Sequence, residues 1–234
     1  MEATKFSVFL KQVAAAAGID QDTIPNSFFT QIRDFADRRV SQAWDRCEWP
    51  GTIGYSQPTV GTSGNLNKFT YPTDADVIMN VYSDDPRTST TIKTYGFRLV
   101  ETDAGTREVI VPEADTSVTV EYKKKAPTFI GDVHQSSNKT YIAGEQAYAS
   151  GDFYNANNDN TSGAFASSGW TVIELPKIFQ GYMVKGCYAD YLRANGQTQE
   201  AQVEDQNAEA ILFREIEKVL RVEGQNRLIQ MNTY

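Results

Sequence analysis

Histidine and cysteine are scarce in this chain, with one His and two Cys among 234 residues. A zinc site of imidazoles and thiolates takes about four ligands, more than a single copy supplies, so no metal site is expected. Long apolar runs are also missing. No stretch approaches the ~18 apolar residues of a membrane span, so no membrane role is expected. The N-terminal Met1-Glu2-Ala3-Thr4-Lys5 lacks the basic start and apolar run of a signal peptide. Basic residues are in the minority: 22 Lys+Arg against 30 Asp+Glu leave a formal net charge of −8. That balance argues against a nucleic-acid binder that wraps phosphates. With 40% hydrophobic and 22% charged residues, the chain suits one large or two small folded domains. The expectation from composition is an acidic, soluble, globular, non-enzymatic protein.

Cys47 and Cys187 each fall in a segment of helical pattern. They could pair across the fold, but two thiols in a chain of this length read rather as buried and reduced.

The texture runs helix, strand, helix. In residues 4–17, Phe6, Phe9, Leu10 and Val13 share one helical face, and Gly18 is a natural stop. A second helix is predicted from about Phe28 to Trp44 or Cys47, with Asn26 or Ser27 as cap and Pro50-Gly51 beyond its end. From 52 to 173, Gly, Ser, Thr, Asn and Pro punctuate short alternating runs, the pattern of a β region. Candidate strands are 77–82, 92–99, 108–111 and 116–122. In the last, Val118, Val120 and Tyr122 point to one side. Ser150-Gly151-Asp152 sits between two alternating runs, so Gln146–Phe153 can form a hairpin. Lys123-Lys124-Lys125 reads as a solvated strand end rather than a phosphate site. A third helix follows from Leu175 to Ala194, stopped at Asn195-Gly196. Its small residues Gly181, Gly186 and Ala189 permit close helix approach. Thr198 then caps a long helix to about Val222, acidic in its first half and basic in its second, the order that complements the helix dipole. Residues 223–234 form an arm in this reading, with Arg227, Leu228, Ile229, Met231 and Tyr234 carrying side chains suited to ordering on a partner. A disordered tail is the alternative.

Catalytic constellations are hard to find. His134 lies in a polar loop beside Ser136 and Ser137, but neighbours in sequence do not make a triad and no G-x-S-x-G elbow exists. Gly61-Thr62-Ser63-Gly64 lacks the Lys of a phosphate loop. Asp84, Asp85 and Asp152 are available as carboxylates, although each also reads as a turn residue. Catalytic residues, metal and cofactors are all expected to be none.

One segment does resemble a known family. Asp37-Arg-Arg-Val-Ser-Gln-Ala-Trp-Asp-Arg-Cys-Glu-Trp-Pro50 is similar to the N-terminal region of bacteriophage head–tail connector (adaptor, neck ring) proteins. There a helix with paired Arg and an Ala-Trp step closes on Trp-Pro. Leu175-Pro-Lys-Ile-Phe-Gln-Gly-Tyr-Met-Val-Lys-Gly-Cys-Tyr-Ala-Asp-Tyr-Leu-Arg193, Gly196-Gln197 and the charged helix after it look like that family's closing helix pair. The resemblance covers both ends of the chain. It implies an α+β fold in which N- and C-terminal helices form a bundle around a β-rich insertion. It also implies a structural virion protein, made in the host cytoplasm and built into the neck. Such a protein forms a homo-oligomeric ring, commonly a 12-mer (dodecamer), that binds the portal protein above and a tail or nozzle protein below. Genomic DNA passes through without sequence recognition. The portal and oligomer contacts would fall on Arg227, Leu228, Ile229, Met231, Tyr234, Gly181 and Gly186.

A second resemblance lies within the β region. Tyr141-Ile-Ala-Gly-Glu-Gln-Ala-Tyr148, Asp152-Phe-Tyr-Asn-Ala156 and Trp170 are similar to small carbohydrate-binding β modules. That likeness implies glycan stacking on Phe153, Tyr154 and Trp170, as in a tail or baseplate protein that recognises a host surface glycan. The competing reading puts Tyr148, Tyr154 and Trp170 into a small core. The expected organisation is therefore 1–50 helical, 51–130 β insertion, 131–174 small β module, 175–222 helical, and 223–234 arm.

Overall fold

The computed structural model describes residues 2–63, 66–103, 105–112, 117–135, 139–159 and 165–231, with the backbone alone at 62–63, 167 and 222–231. The fold is α+β. Along the chain come β1 (Ala3–Thr4), α1 (Phe6–Ala16), α2 (Asn26–Asp45), β2 (Ile53–Ser56), β3 (Gly61–Ser63), β4 (Leu66–Thr70) and β5 (Ala75–Tyr82). Then follow β6 (Thr94–Tyr95), β7 (Arg98–Glu101), β8 (Arg107–Ile110), β9 (Thr119–Lys124), β10 (Asp132–Val133), β11 (Gln146–Ala149) and β12 (Asp152–Ala156). The chain closes with β13 (Trp170–Ile173), β14 (Leu175–Pro176), α3 (Gln180–Ala194) and α4 (Thr198–Met231). Two compact units result: Met1–Cys47 with Pro127–Tyr234, and Glu48–Ala126. The small β module thus shares a unit with the helices from both chain ends.

In the first unit, α3 packs against α1, α2 and α4. β1 pairs antiparallel with β14, tying the start of the chain to the segment that leads into α3. The sheet β10-β11-β12-β13 is antiparallel except for the parallel β10–β11 pair. Its residues alternate between two faces. Tyr148 and Phe153 meet Phe6, Phe29 and Phe129 from the helical side, with the Phe6–Phe153 ring centroids 4.7 Å apart and edge-on. Tyr141, Ala147, Ala156 and Trp170 form a separate small core on the other side, with Tyr154 and Phe165 packed against it.

The hairpin between β11 and β12 also caps α1. Lys5 offers the helix no side-chain cap. Instead the Phe6 N–H donates to Asp152 Oδ1 and the Ser7 N–H to the Gly151 carbonyl, both at 2.8 Å. A carboxylate there meets the positive end of the helix dipole and satisfies a buried donor. The turn presents it because Ser150 and Gly151 both take positive φ, 52° and 93°, as a two-residue type I′ turn demands. A Cβ on Gly151 would lie 2.7 Å from Ser7 Oγ. Asp152→Ala is expected to lower unfolding stability by about 1–2 kcal/mol in urea denaturation, and Asp152→Asn, which keeps an acceptor, by less.

Several boundaries move from the sequence reading. Neither Asn26 nor Ser27 caps α2: the helix begins at Asn26, with Pro25 at the cap position and no side-chain cap bond. Thr198 likewise stands as the first residue of α4, which runs unbroken through Gly224 to Met231, where an arm was expected after Val222. One Gly inside a helix is disfavoured by only about 1 kcal/mol, which the flanking residues offset. The predicted strand 92–99 is two short strands, β6 and β7, separated at Gly96-Phe97.

In the second unit, two four-stranded antiparallel sheets, β2-β9-β5-β6 and β3-β4-β8-β7, enclose one apolar core. Val118, Val120 and Tyr122 turn inward as their alternation requires. Tyr122 lies across Gly54 on the paired strand, where a Cβ would meet its ring at 2.6 Å. Two register shifts in β5, at Ala75/Val77 and Ile78/Asn80, bend that strand.

Candidate functional site

An open cleft of about 910 Å³ lies in the first unit where α2, the end of α3 and the first half of α4 converge. At its base lies Asp190, whose side chain is 4% exposed. Arg39 donates to it through Nε and Nη2, both at 2.9 Å, and Arg38 and Arg193 add bonds of 3.0 and 2.8 Å. Arg39, itself only 7% exposed, also reaches Asp205 at 2.7 Å and lies over the Tyr182 ring. Arg46 and Glu209 form an outer pair at 3.5 Å. A two-pronged guanidinium matches a carboxylate in both charge and shape, so Asp190 fixes the mutual placement of α2 and α3, and Asp205 adds α4.

The electrostatics keep these groups ionised. Burial pushes the Asp190 carboxyl up, but hydrogen bonds and charge from Arg39, then Arg38, outweigh it and leave it below the ordinary range. Burial opposes the Arg39 charge as well, yet Asp190 holds its pKa above the usual value. Burial, reinforced by the nearby Asp190 charge, raises the Cys187 thiol. All three shifts run away from neutrality, so none of these groups is poised to exchange a proton near pH 7. The cleft is a clamp between helices in its chemistry.

Gly181 and Gly186 have partners within the chain. A Cβ on Gly181 would meet Ile211 of α4 at 3.2 Å, and one on Gly186 would meet the Arg39 guanidinium at 3.1–3.2 Å. Both are therefore close-packing positions within the chain, with Gly186 buried and Gly181 exposed. Gly186 leaves the space through which Arg39 crosses α3 to Asp190. Sequence reasoning singled out Arg38 and Arg39 only as part of a resemblance, and it missed Asp190. The available signal was a lone acid inside the apolar run Ala189–Leu192.

Of the expected arm residues, Arg227, Leu228, Ile229 and Met231 continue the α4 backbone, and their side chains lie outside the described residues, as does Tyr234 altogether. The described part of α4 turns Ala201, Ala208, Leu212 and Val219 inward. Its outer side carries Val203, Phe213 and Leu220, which are 57%, 61% and 56% exposed. With Ala210 they alternate at seven- and three-residue steps, the spacing of a helix seam.

The glycan platform is not formed. Phe153 is fully buried against the helices, and Trp170 is buried on the opposite face of the sheet. Sugar stacking needs coplanar, wet rings, and of the three residues only Tyr154 is partly exposed. Trp170 Nε1 has no hydrogen-bond acceptor among the described residues. His134 stacks on Tyr141 with centroids 5.1 Å apart and meets the edge of Trp170, so its ring is packing material for this core. Ser136 and Ser137 lie outside the described residues. Lys123 and Lys124 belong to β9, while Lys125 donates from its backbone N–H to the Asp74 carbonyl and from Nζ to the Thr73 carbonyl. Asp85 accepts from Arg87, as its turn position suggested. Cys47 and Cys187 are not joined in a disulfide, and Cys187 is buried.

In the second unit, Glu121 accepts hydrogen bonds from Tyr55 Oη, Asn80 Nδ2 and Tyr82 Oη at 2.6–2.8 Å. Burial and then the Glu121 hydrogen bonds push both tyrosines up to about 12. Arg87 covers the Tyr55 ring, and this network is satisfied within the sheet.

Among the described residues, no group of three or more His, Cys, Asp or Glu side chains converges as a metal site, and no helix is long and apolar enough to cross a membrane. Compared with models of known protein families and with curated proteins, the chain matches none.

Proposed function

We propose that this chain is a structural protein of a bacteriophage particle: a head–tail adaptor that assembles into a ring, commonly twelvefold, between portal and tail. One observation carries the reading. Residues 1–47 and 127–234 join in a single compact unit, with α2, α3 and α4 clamped around Asp190, and the β-rich stretch 48–126 is set apart as its own unit. This division supports reading the first unit as the bundle, and the second as the insertion, that the likeness of Asp37–Pro50 and Leu175–Arg193 to connector proteins implies. The net charge of −8 per copy suits a DNA conduit, because like charge keeps the duplex from adhering as it passes. Docking on the portal falls to the end of α4 and the residues after it, and a tail protein binds below. The site groups contribute geometry, and no reaction is assigned.

Native mass measurement and particle imaging of the full chain test the proposal, together with co-purification on a portal ring. A closed ring is expected, and a chain shortened by residues 224–234 is expected to lose portal association. A protein that stays monomeric, with portal association indifferent to the shortening, defeats the reading.

A further inference from the structure

A closed ring needs two different, mutually complementary faces on each copy, because a face that pairs only with itself stops at a dimer. The first unit offers two such faces. One is the outer seam of α4, where Phe213 projects between Ala210 and Leu220. The other is a groove of about 340 Å³ between α1, the start of α2 and β10–β11, with room for a phenyl ring. Leu10 and Phe29 form its floor, and Ile24, Val133 and Tyr148 its walls. The two faces lie on separate parts of the unit. The groove uses the first turn of α2, whereas α4 is held at Arg39 and Arg46, beginning ten residues or ~15 Å further along that helix.

Charge at the rims matches as well. Beside Phe213, Arg214 is exposed and has no ion-pair partner among the described residues. At the groove rim, Asp22 is 87% exposed and, among the described residues, its carboxylate meets only Lys11, at 3.3 Å. Resting on the ring reading above, we infer that neighbouring copies of this chain join by seating Phe213 of one in the α1–α2–β10 groove of the next, with Arg214 facing Asp22. The occupant of each face is thus a second copy, joined head to tail. An antiparallel α4–α4 pair, which would also cover the seam, leaves the groove empty and closes at two copies.

Cysteine cross-linking in a Cys47→Ser background decides it. Phe213→Cys copies mixed with Val133→Cys copies are expected to give a disulfide-linked dimer on non-reducing gels, and neither variant alone should. Phe213→Glu is expected to abolish the ring while the protein stays folded by circular dichroism, because that side chain is exposed. Asp22→Arg and Arg214→Glu are each expected to weaken assembly by about two- to fivefold, and the double variant to recover it. An intact ring without the mixed cross-link overturns the interface and leaves the ring reading standing, whereas cross-linking of Phe213→Cys with itself overturns the interface in favour of the two-copy α4–α4 pair. A monomeric wild-type protein removes the ring reading, and this interface falls with it.

Discussion

Asp190→Ala is expected to lower the unfolding free energy by about 3–5 kcal/mol, measured by urea or thermal denaturation. The effect is large because of what stays behind. Arg39 keeps its charge, its guanidinium is almost fully buried, and Asp205 is the one carboxylate among the described residues left bonded to it. Arg38 and Arg193 lose the same acceptor, so three like charges are left around one void. Replacing both partners, as in Arg39→Met with Asp190→Leu, is expected to be milder than the sum of the two single changes, because no buried charge is then stranded. The same carboxylate sets an acid limit. Its folded pKa lies below the unfolded value near 3.8, so its stabilisation is present above about that pH and is lost as pH falls through the lower folded value. Asp190→Asn removes that part of the acid dependence, so its stability curve is expected to be flatter than wild type below pH 4.

Phe153→Ala is the second large effect, also about 3–5 kcal/mol in the same assay. Phe153 is enclosed by Phe6, Phe29, Phe129 and Tyr148, so its truncation would open a cavity lined by aromatic rings. It joins the β module to α1 and α2, so its loss is felt in the helices as well as the sheet. Tyr154→Ala, one residue on and facing the other way, is expected to cost about 1 kcal/mol or less. A glycan-stacking role would give the opposite pattern, with little change in stability and loss of binding on either substitution.

The helices were legible because a 3.6-residue period needs only local information. Phe6, Phe9, Leu10 and Val13 declare a buried face, and Gly18 and Gly196 declare stops that the backbone honours with φ of 70° and 82°. Val118, Val120 and Tyr122 were equally plain, since a half-buried strand alternates. The caps were not legible. Asp152 reads as a turn residue from its neighbours, and only the folded chain brings it to the first N–H of α1, across nearly the whole length that separates them. The split of 92–99 into β6 and β7 also escaped, because the strands belong to different sheets and pairing partners are set by distant residues.

The candidate site shows the same divide. The sequence by itself determined the amphipathic helices, the hairpin over Gln146–Phe153, the acidic balance and the scarcity of histidine and cysteine, because each is a property of composition or of residues close along the chain. Only the tertiary structure decided that Gly181 and Gly186 serve intrachain packing, that Phe153 and Trp170 are buried on opposite faces, and that Asp190 gathers three arginines. It also decided which apolar residues of α4 are left outside: Val203, Phe213 and Leu220 are as hydrophobic as Leu212 and Val219, and composition cannot rank them. Burial depends on which neighbours arrive, and α3 covers one side of α4 and leaves the other bare.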